Sequence, residues 1–379
     1  MGHRWDIQLL RAIAVLSVLA YHSGVPHFQG GSLGVDVFFV ISGYLITITW
    51  LRQSAAGPVD SRAFLRHRLA RTLPAAAVTA VAVTVVVAMI ARDRWADMAW
   101  HLVASLTATE NVLVSGLTWG DWEPSVEALT PFTHFWSMSM EVQFYLVWPL
   151  ALAAVAAVGA LRAAPGLRRT VLLLLLGVVA VVSAHAYVTW GVSSHGVAYF
   201  SPMTRAWQLA AGAGLGLILP SLRPAGKLRG YVPVLATVGA VIGVATLVWC
   251  FMFGGFARDT DSAFWGFAVV AATAALLVLG RGLPPLSSRL RRLLLPLLAV
   301  GTISYGVYLW HLPVLWTVSE LGWAKTPLWW VFVVGMSIGA ATLSWHWVEK
   351  PAIAWSRRRG TEASAPTVEK SAQRELQHV

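Results

Sequence analysis

Ten apolar stretches, each long enough to cross a bilayer as a helix, follow one another between residues 8 and 349. They cover 8–24, 34–52, 72–91, 134–160, 169–190, 204–220, 231–253, 261–279, 296–316 and 328–349. A hydrocarbon core of about 30 Å takes about 20 helical residues to span. Backbone N–H and C=O groups find no water there, so such stretches must be helices packed against one another. The expected fold is all-α: a polytopic membrane helix bundle of about ten transmembrane helices, with the lipid bilayer as its main partner. Only 12% of the residues are charged, against about 25% in a soluble domain. The 20 tryptophans suit the many headgroup interfaces of such a bundle. The stretch 97–118 is less apolar and holds Glu110 and Asn111, which predicts an interfacial or re-entrant segment.

The net charge of +11 does not point to nucleic acid, because the basic residues fall between apolar runs rather than on one soluble face. They alternate from loop to loop. Arg52, Arg62, Arg66, Arg68 and Arg71 lie on one side, followed on alternate loops by Arg162, Arg168 and Arg169, by Arg223, Lys227 and Arg229, and by Arg281, Arg289, Arg291 and Arg292. Asp121, Glu123 and Glu127 mark an intervening, acidic loop. Lys and Arg concentrate on the cytoplasmic side, so both termini are expected in the cytoplasm. Leu9–Tyr21 resembles a signal peptide core, but no small-x-small cleavage site follows, and it reads as a retained first span. Residues 1–354 are expected to form the transmembrane domain, and 355–379, polar and without apolar periodicity, a disordered cytoplasmic tail. The single cysteine, Cys250, excludes an intrachain disulfide and a thiolate-built zinc site, and no metal is expected.

Ionisable residues inside spans are costly and tend to be functional. Arg11 and His22 lie eleven positions apart on the first stretch, three turns plus about 20° and about 16 Å along the axis. They share a face, although either could instead snorkel to a headgroup region. Asp36 opens the second stretch among aromatics and needs a partner; it could orient a histidine or sit at a helix N-terminus. Ser137 and Glu141 share a face of the fourth, at a depth expected to match that of His22. Arg205 enters the sixth and could neutralise Glu141 or Asp36. Ser304, Tyr308 and His311 form one polar stripe on the ninth, expected to face the bundle interior.

These segments resemble the acyltransferase 3 family of bacterial membrane proteins, which includes O-antigen and peptidoglycan O-acetyltransferases. The resemblance covers residues 6–354. It is carried by Arg11 and His22 with ten residues between; by Gly34-Val35-Asp36-Val37-Phe38-Phe39 with Ser42-Gly43; by Trp136-Ser137 through Glu141 to Phe144-Tyr145; and by Ser304-Tyr305 through Tyr308 to His311. Arg68 and Arg71 before Pro74 match the family's basic pair, and Val348-Glu349-Lys350-Pro351 its closing Glu-x-Pro signature. Many members carry Glu where this chain has Gln208, so no acid role is assigned there. No Gly-Asp-Ser motif of a C-terminal SGNH esterase-like domain follows, and an acyl relay outside the cell is expected to need a separate protein.

The resemblance implies a multi-pass enzyme of the bacterial plasma (inner) membrane that moves an acyl group, commonly acetyl, from acetyl-CoA to a hydroxyl of a carbohydrate or glycosylated acceptor. No permanently bound cofactor is implied; acyl-CoA is a substrate. Guanidinium forks suit phosphate oxygens, so Arg11, Arg68 and Arg71 are the expected CoA-binding groups. His22 is the expected catalytic histidine, oriented by Asp36 or Glu141. Ser137, Tyr145, Arg205, Tyr305, Tyr308 and His311 are expected to support the site. On composition alone, a secondary transporter or flippase for a sugar-containing substrate suits the spans equally well, but the two similar halves of many transporters are not visible. A noncatalytic membrane subunit of a glycan-assembly complex is the third reading.

Overall fold

A computed structural model describes residues 4–57, 59–117, 130–162, 164–193, 195–222, 231–254, 261–323 and 327–364. The helices are α1 (Trp5–His22), α2 (Gly34–Ala56), α3 (Ser61–Ile90), α4 (Trp95–Leu106), α5 (Glu110–Leu117), α6 (Phe135–Ala157), α7 (Gly159–Arg162), α8 (Pro165–Ser193), α9 (His195–Phe200), α10 (Pro202–Ile218), α11 (Val232–Phe253), α12 (Asp261–Leu279), α13 (Ser288–Thr302), α14 (Ser304–Glu320), α15 (Pro327–Ser344) and α16 (Lys350–Ser364). Six described helices are long and apolar enough to cross a membrane, or seven if the bent pair α13–α14 is one span. All ten apolar stretches are helical, but α1, α10 and α12 are shorter or more polar than those six. The ninth stretch is two helices meeting at 67°.

Large apolar side chains point outward, as a lipid-facing surface requires: Val181 of α8 is 70% exposed and Val241 of α11 is 65%. By contrast, 83% of the apolar window of α2 is buried, against 22–33% in the other five long helices. This helix is the axis of the bundle. It packs tightly on α10 because both backbones approach at glycine. A Cβ on Gly43 would fall on the Leu209 carbonyl oxygen, and one on Gly212 on that of Val40. Small residues at a crossing allow this approach, which in lipid stands in for a hydrophobic driving force.

The same crossing carries a buried ion pair. Arg205 on α10 is fully buried and meets Asp36 on α2, Nη2 to Oδ1, at 2.7 Å. Gln208 donates from Nε2 to the same oxygen at 3.0 Å. Rings of Trp136, Tyr187 and Tyr199 lie 5.7, 5.5 and 5.0 Å from the guanidinium carbon. The expectation that Asp36 orients a histidine is corrected: the carboxylate is clamped by Arg205 and Gln208. This also accounts for Gln208. Its amide donates to Asp36, whereas a glutamate there would set a second carboxylate beside the first.

One other expectation changes. The predicted tail begins as helix. Pro351 directly follows the π-helical turn Trp345–Glu349, at the start of α16, and α16 docks on α3 through Ser356, whose hydroxyl lies 2.9 Å from His67 Nδ1. The boundary at 354 is therefore not a structural one; residues 365–379 lie outside the described residues, as do the loop residues Asp121, Glu123, Glu127, Arg223, Lys227 and Arg229. The segment 97–118 forms α4 and α5, about 18 and 12 Å long. Neither can cross a bilayer, and a buried contact of 2.5 Å between His101 Nδ1 and Glu110 Oε1 ties them together.

Removing one partner of a buried ion pair leaves the other uncompensated, at a cost of about 3–5 kcal/mol. Arg205→Ala is expected to lower stability by that amount, read as a lowered thermal midpoint in detergent. Replacing the pair together, Arg205→Met with Asp36→Leu, should recover much of the loss.

Candidate active site

A cavity of about 80 Å³ lies between α1, α2, α3, α6 and α14. At about 30 Å³ per water it holds roughly two or three waters. Arg11, Arg68 and Arg71 line it, with Ser42, Glu141, Tyr145 and Ser137 on the facing helices and Tyr305 and Tyr308 from α14. The order of helices along the chain explains this meeting. Arg11 lies on the first, its neighbours on α3 follow one helical turn apart, and Ser137, Glu141 and Tyr145 repeat at about one or two turns along α6.

Glu141 is held at both oxygens. Ser42 donates to Oε1 at 2.5 Å, and Tyr145 to Oε2 at 3.2 Å. Arg11 is 8% exposed and lies within electrostatic reach of Glu141, Arg71 and Glu349. Arg68 donates to Leu45 O at 3.1 Å and to Thr49 Oγ1 at 2.8 Å, fixing α3 to α2. Arg71 is exposed, at the mouth. Glu349 is buried beside this end, in a π-helical turn, Trp345–Glu349, between α15 and α16; such turns often mark functional sites. The expectation that Glu141 sits with His22 is therefore corrected: Glu141 belongs with the arginines.

The tyrosines of α14 are anchored to backbone. Tyr305 donates to Thr72 O at 2.8 Å. Tyr308 donates to His134 O at 3.0 Å and accepts from Ser137 Oγ at 2.7 Å. Tyr308 is also a wall. Its ring lies 6.4 Å from that of Phe38, and both line the cavity. Behind it lie the histidines, with ring centroids 5.3 Å away at His311 and 5.8 Å at His134.

His22 is outside the cavity lining and packs on this second cluster. The stripe Ser304, Tyr308 and His311 is buried, as expected. His311 Nδ1 lies 2.5 Å from Tyr308 O, and its Nε2 3.2 Å from His22 Nδ1. His22 Nδ1 also lies 3.1 Å from Val18 O. Carbonyls only accept, so Nδ1 of each histidine carries the proton. His311 Nε2 then accepts from His22, and every contact is attractive. The result is a His22 with its Nε2 lone pair bare. The orienting partners of His22 are Val18 O and His311, not Asp36 or Glu141. Among the described residues, no group of His, Cys, Asp or Glu has metal-holding geometry.

One residue of this cluster was not singled out from the sequence. His134 is 2% exposed and stands just before α6. The signal was present: His134, Ser137 and Glu141 fall at i, i+3 and i+7, so the polar stripe of α6 extends one turn further back.

Comparison with known proteins gives this arrangement a context. Residues 4–346 match the acyltransferase domain family. The chain is 32% identical over 353 residues to a putative peptidoglycan O-acetyltransferase, YrhL, of Bacillus subtilis, covering 90% of this chain and 54% of that protein. It is 28% identical over 360 residues to the peptidoglycan O-acetyltransferase OatA of Listeria monocytogenes, covering 91% and 55%. The O-acetyltransferase OatA of Staphylococcus aureus is 28% identical over 376 residues, at 96% and 59%. The chain thus spans somewhat over half the length of these relatives. No solved structure matches it.

Nitrogen-15 spectra of histidine-labelled protein in lipid should show Nδ1 protonated and Nε2 bare in both His22 and His311. A proton on His22 Nε2 in the resting protein would contradict the assignment.

Proposed function

The chain belongs to the acyltransferase domain family, and on that premise we propose that it is a membrane O-acyltransferase moving an acyl group, acetyl in the simplest case, from acyl-CoA to a hydroxyl of a carbohydrate. The observation that carries this reading is the cavity, where three arginines converge on a space that the described carboxylates leave electropositive. An acyl donor rich in phosphate answers that charge. Arg71 at the mouth, with Arg62 and Arg66 earlier on α3, faces the cytoplasm in this reading, as the loop charges suggest; both termini lie on that side. The names of the relatives support peptidoglycan as the acceptor class.

Each part of the site then has a task. Arg71 and Arg68 take phosphate oxygens by charge-assisted hydrogen bonds. Arg11, deeper, offers N–H donors to the amide carbonyls of the pantetheine arm as it enters. Glu141, pinned by Ser42 and Tyr145, holds Arg11 in place rather than orienting His22. The cavity volume fits the tip of the arm, a thioester and its acyl group. Tyr308 and Phe38 end the cavity, so the acyl carbon meets His22 only when these rings part. Beyond them His22 offers its bare Nε2, and His311 keeps that nitrogen bare by accepting from the other. Such a wall keeps water from the thioester until the acceptor side is engaged.

Two measurements test the reading on purified protein in lipid. Arg68→Ala should weaken acetyl-CoA binding by about 10- to 150-fold, the equivalent of losing one charge-assisted hydrogen bond of roughly 1.5–3 kcal/mol; unchanged affinity counts against the phosphate role. His22→Ala should bind acetyl-CoA and lose about 10²–10⁴ in transfer rate; wild-type turnover from inserted His22→Ala protein removes the catalytic assignment.

A further inference from the structure

His134 is the most conspicuous orphan near the site. Neither ring nitrogen has a hydrogen-bond partner among the described residues, although the side chain is almost fully buried. A neutral imidazole always carries one N–H and one lone pair, and burying them unmet is costly. The surroundings decide which nitrogen carries the proton. Pro313 has no N–H, so the Leu309 carbonyl, four residues earlier on α14, loses its helical donor. That carbonyl lies beside the His134 ring, short of hydrogen-bond geometry. The nitrogen facing it carries the proton, and the other nitrogen holds a bare lone pair with no donor.

The cluster thus holds two bare nitrogens: Nε2 of His22 and one on His134. His311, whose ring centroid lies 5.1 Å from that of His22 and 5.6 Å from that of His134, has both nitrogens engaged. An acceptor hydroxyl brings one proton, so one bare nitrogen suffices to remove it. The second is left for another role.

We propose that the two histidines divide the reaction, His22 receiving the acyl group and His134 binding the acceptor hydroxyl and taking its proton. The inference rests on the acyl-transfer reading above. In the first step His22 Nε2 bonds to the acyl carbon, the carbon–sulfur bond breaks, and its electron pair leaves on the CoA thiolate. In the second, the hydroxyl proton passes to the bare His134 nitrogen, the oxygen bonds to the acyl carbon, and the carbon–nitrogen bond breaks, returning its pair to His22 Nε2. Tyr308 fixes His134 from behind by donating to its backbone carbonyl, so the wall of the donor cavity and the base of the acceptor side share one anchor.

The two steps are separable. Wild-type protein and variants in lipid are assayed for exchange of acetyl between acetyl-CoA and labelled CoA, with no acceptor. They are then assayed for total transfer to soluble peptidoglycan fragments and water, read as O-acetyl plus free acetate. His134→Phe keeps the ring volume and removes the nitrogens. It should continue exchange within about twofold of wild type and lose about 10²–10⁴ in transfer, the worth of a positioned base. His134→Gln, which accepts a hydrogen bond but takes no proton, should hold the acceptor KM near wild type and still lose kcat. His22→Ala should lose both steps. Equal loss of exchange and transfer in His134→Phe marks a structural role and overturns the inference. So does wild-type transfer in His134→Phe, kcat restored in His134→Gln, or wild-type transfer without exchange. Wild-type protein that neither exchanges nor transfers removes the acyl-transfer reading itself, and the inference with it.

Discussion

Positive charge buried in an apolar bundle must be answered, and the way each guanidinium is answered organises this protein. Arg205 is matched one-to-one by Asp36, with Gln208 donating to the same carboxylate oxygen and three aromatic rings set around the guanidinium. The pair lies outside the cavity lining, and its place is structural, at the crossing of α2 and α10. The cavity is different. There Arg11, Arg68 and Arg71 face Glu141 and, beside the mouth, Glu349. Two carboxylates against three guanidiniums leave net positive charge inside a low-dielectric wall, where field lines concentrate. The remaining charge is a standing invitation to an anion.

The second organising feature is separation. The arginines and the histidines do not share one polar passage. Tyr308 and Phe38 stand between them, and Tyr308 is held by hydrogen bonds to Ser137 and to the backbone at His134. In the proposed reaction a phosphate-rich donor and a sugar acceptor need opposite surroundings, and a wall lets each compartment keep its own. On the histidine side the carbonyls of Val18 and Tyr308 accept from the Nδ1–H groups, which leaves the lone pairs on the Nε2 nitrogens. The Pro313 that frees Leu309 O extends the same device to His134.

Much of this was legible in the sequence. Apolar length alone located ten helical stretches, and the polar stripe on α14 was placed facing inward because a polar row in lipid has nowhere else to face. The misreadings share one cause. Periodicity says which residues share a face of one helix, but not which face of which neighbour it meets. Asp36 was offered two partners, and only the close approach at Gly43 and Gly212 brings Arg205 to it. Glu141 was placed by depth with His22, whereas the crossing of α6 with α2 gives it to Ser42 and the arginines. The bend at Ile303 was hidden because α13 and α14 carry one continuous apolar run. The helix α16 was hidden for the opposite reason: it is polar, and it is held by docking on α3 rather than by an apolar stripe.

In the proposed reaction the donor enters from the arginine end and its acyl group stops at Tyr308. A structure in a lipid nanodisc with a non-hydrolysable acetyl-CoA analogue tests this most directly. Phosphates are expected against Arg68 and Arg71, with the arm running past Arg11 and the acyl carbonyl against Tyr308 and Phe38. Phosphates bound at the His22 end, or an analogue seated outside the arginine cavity, would contradict that route.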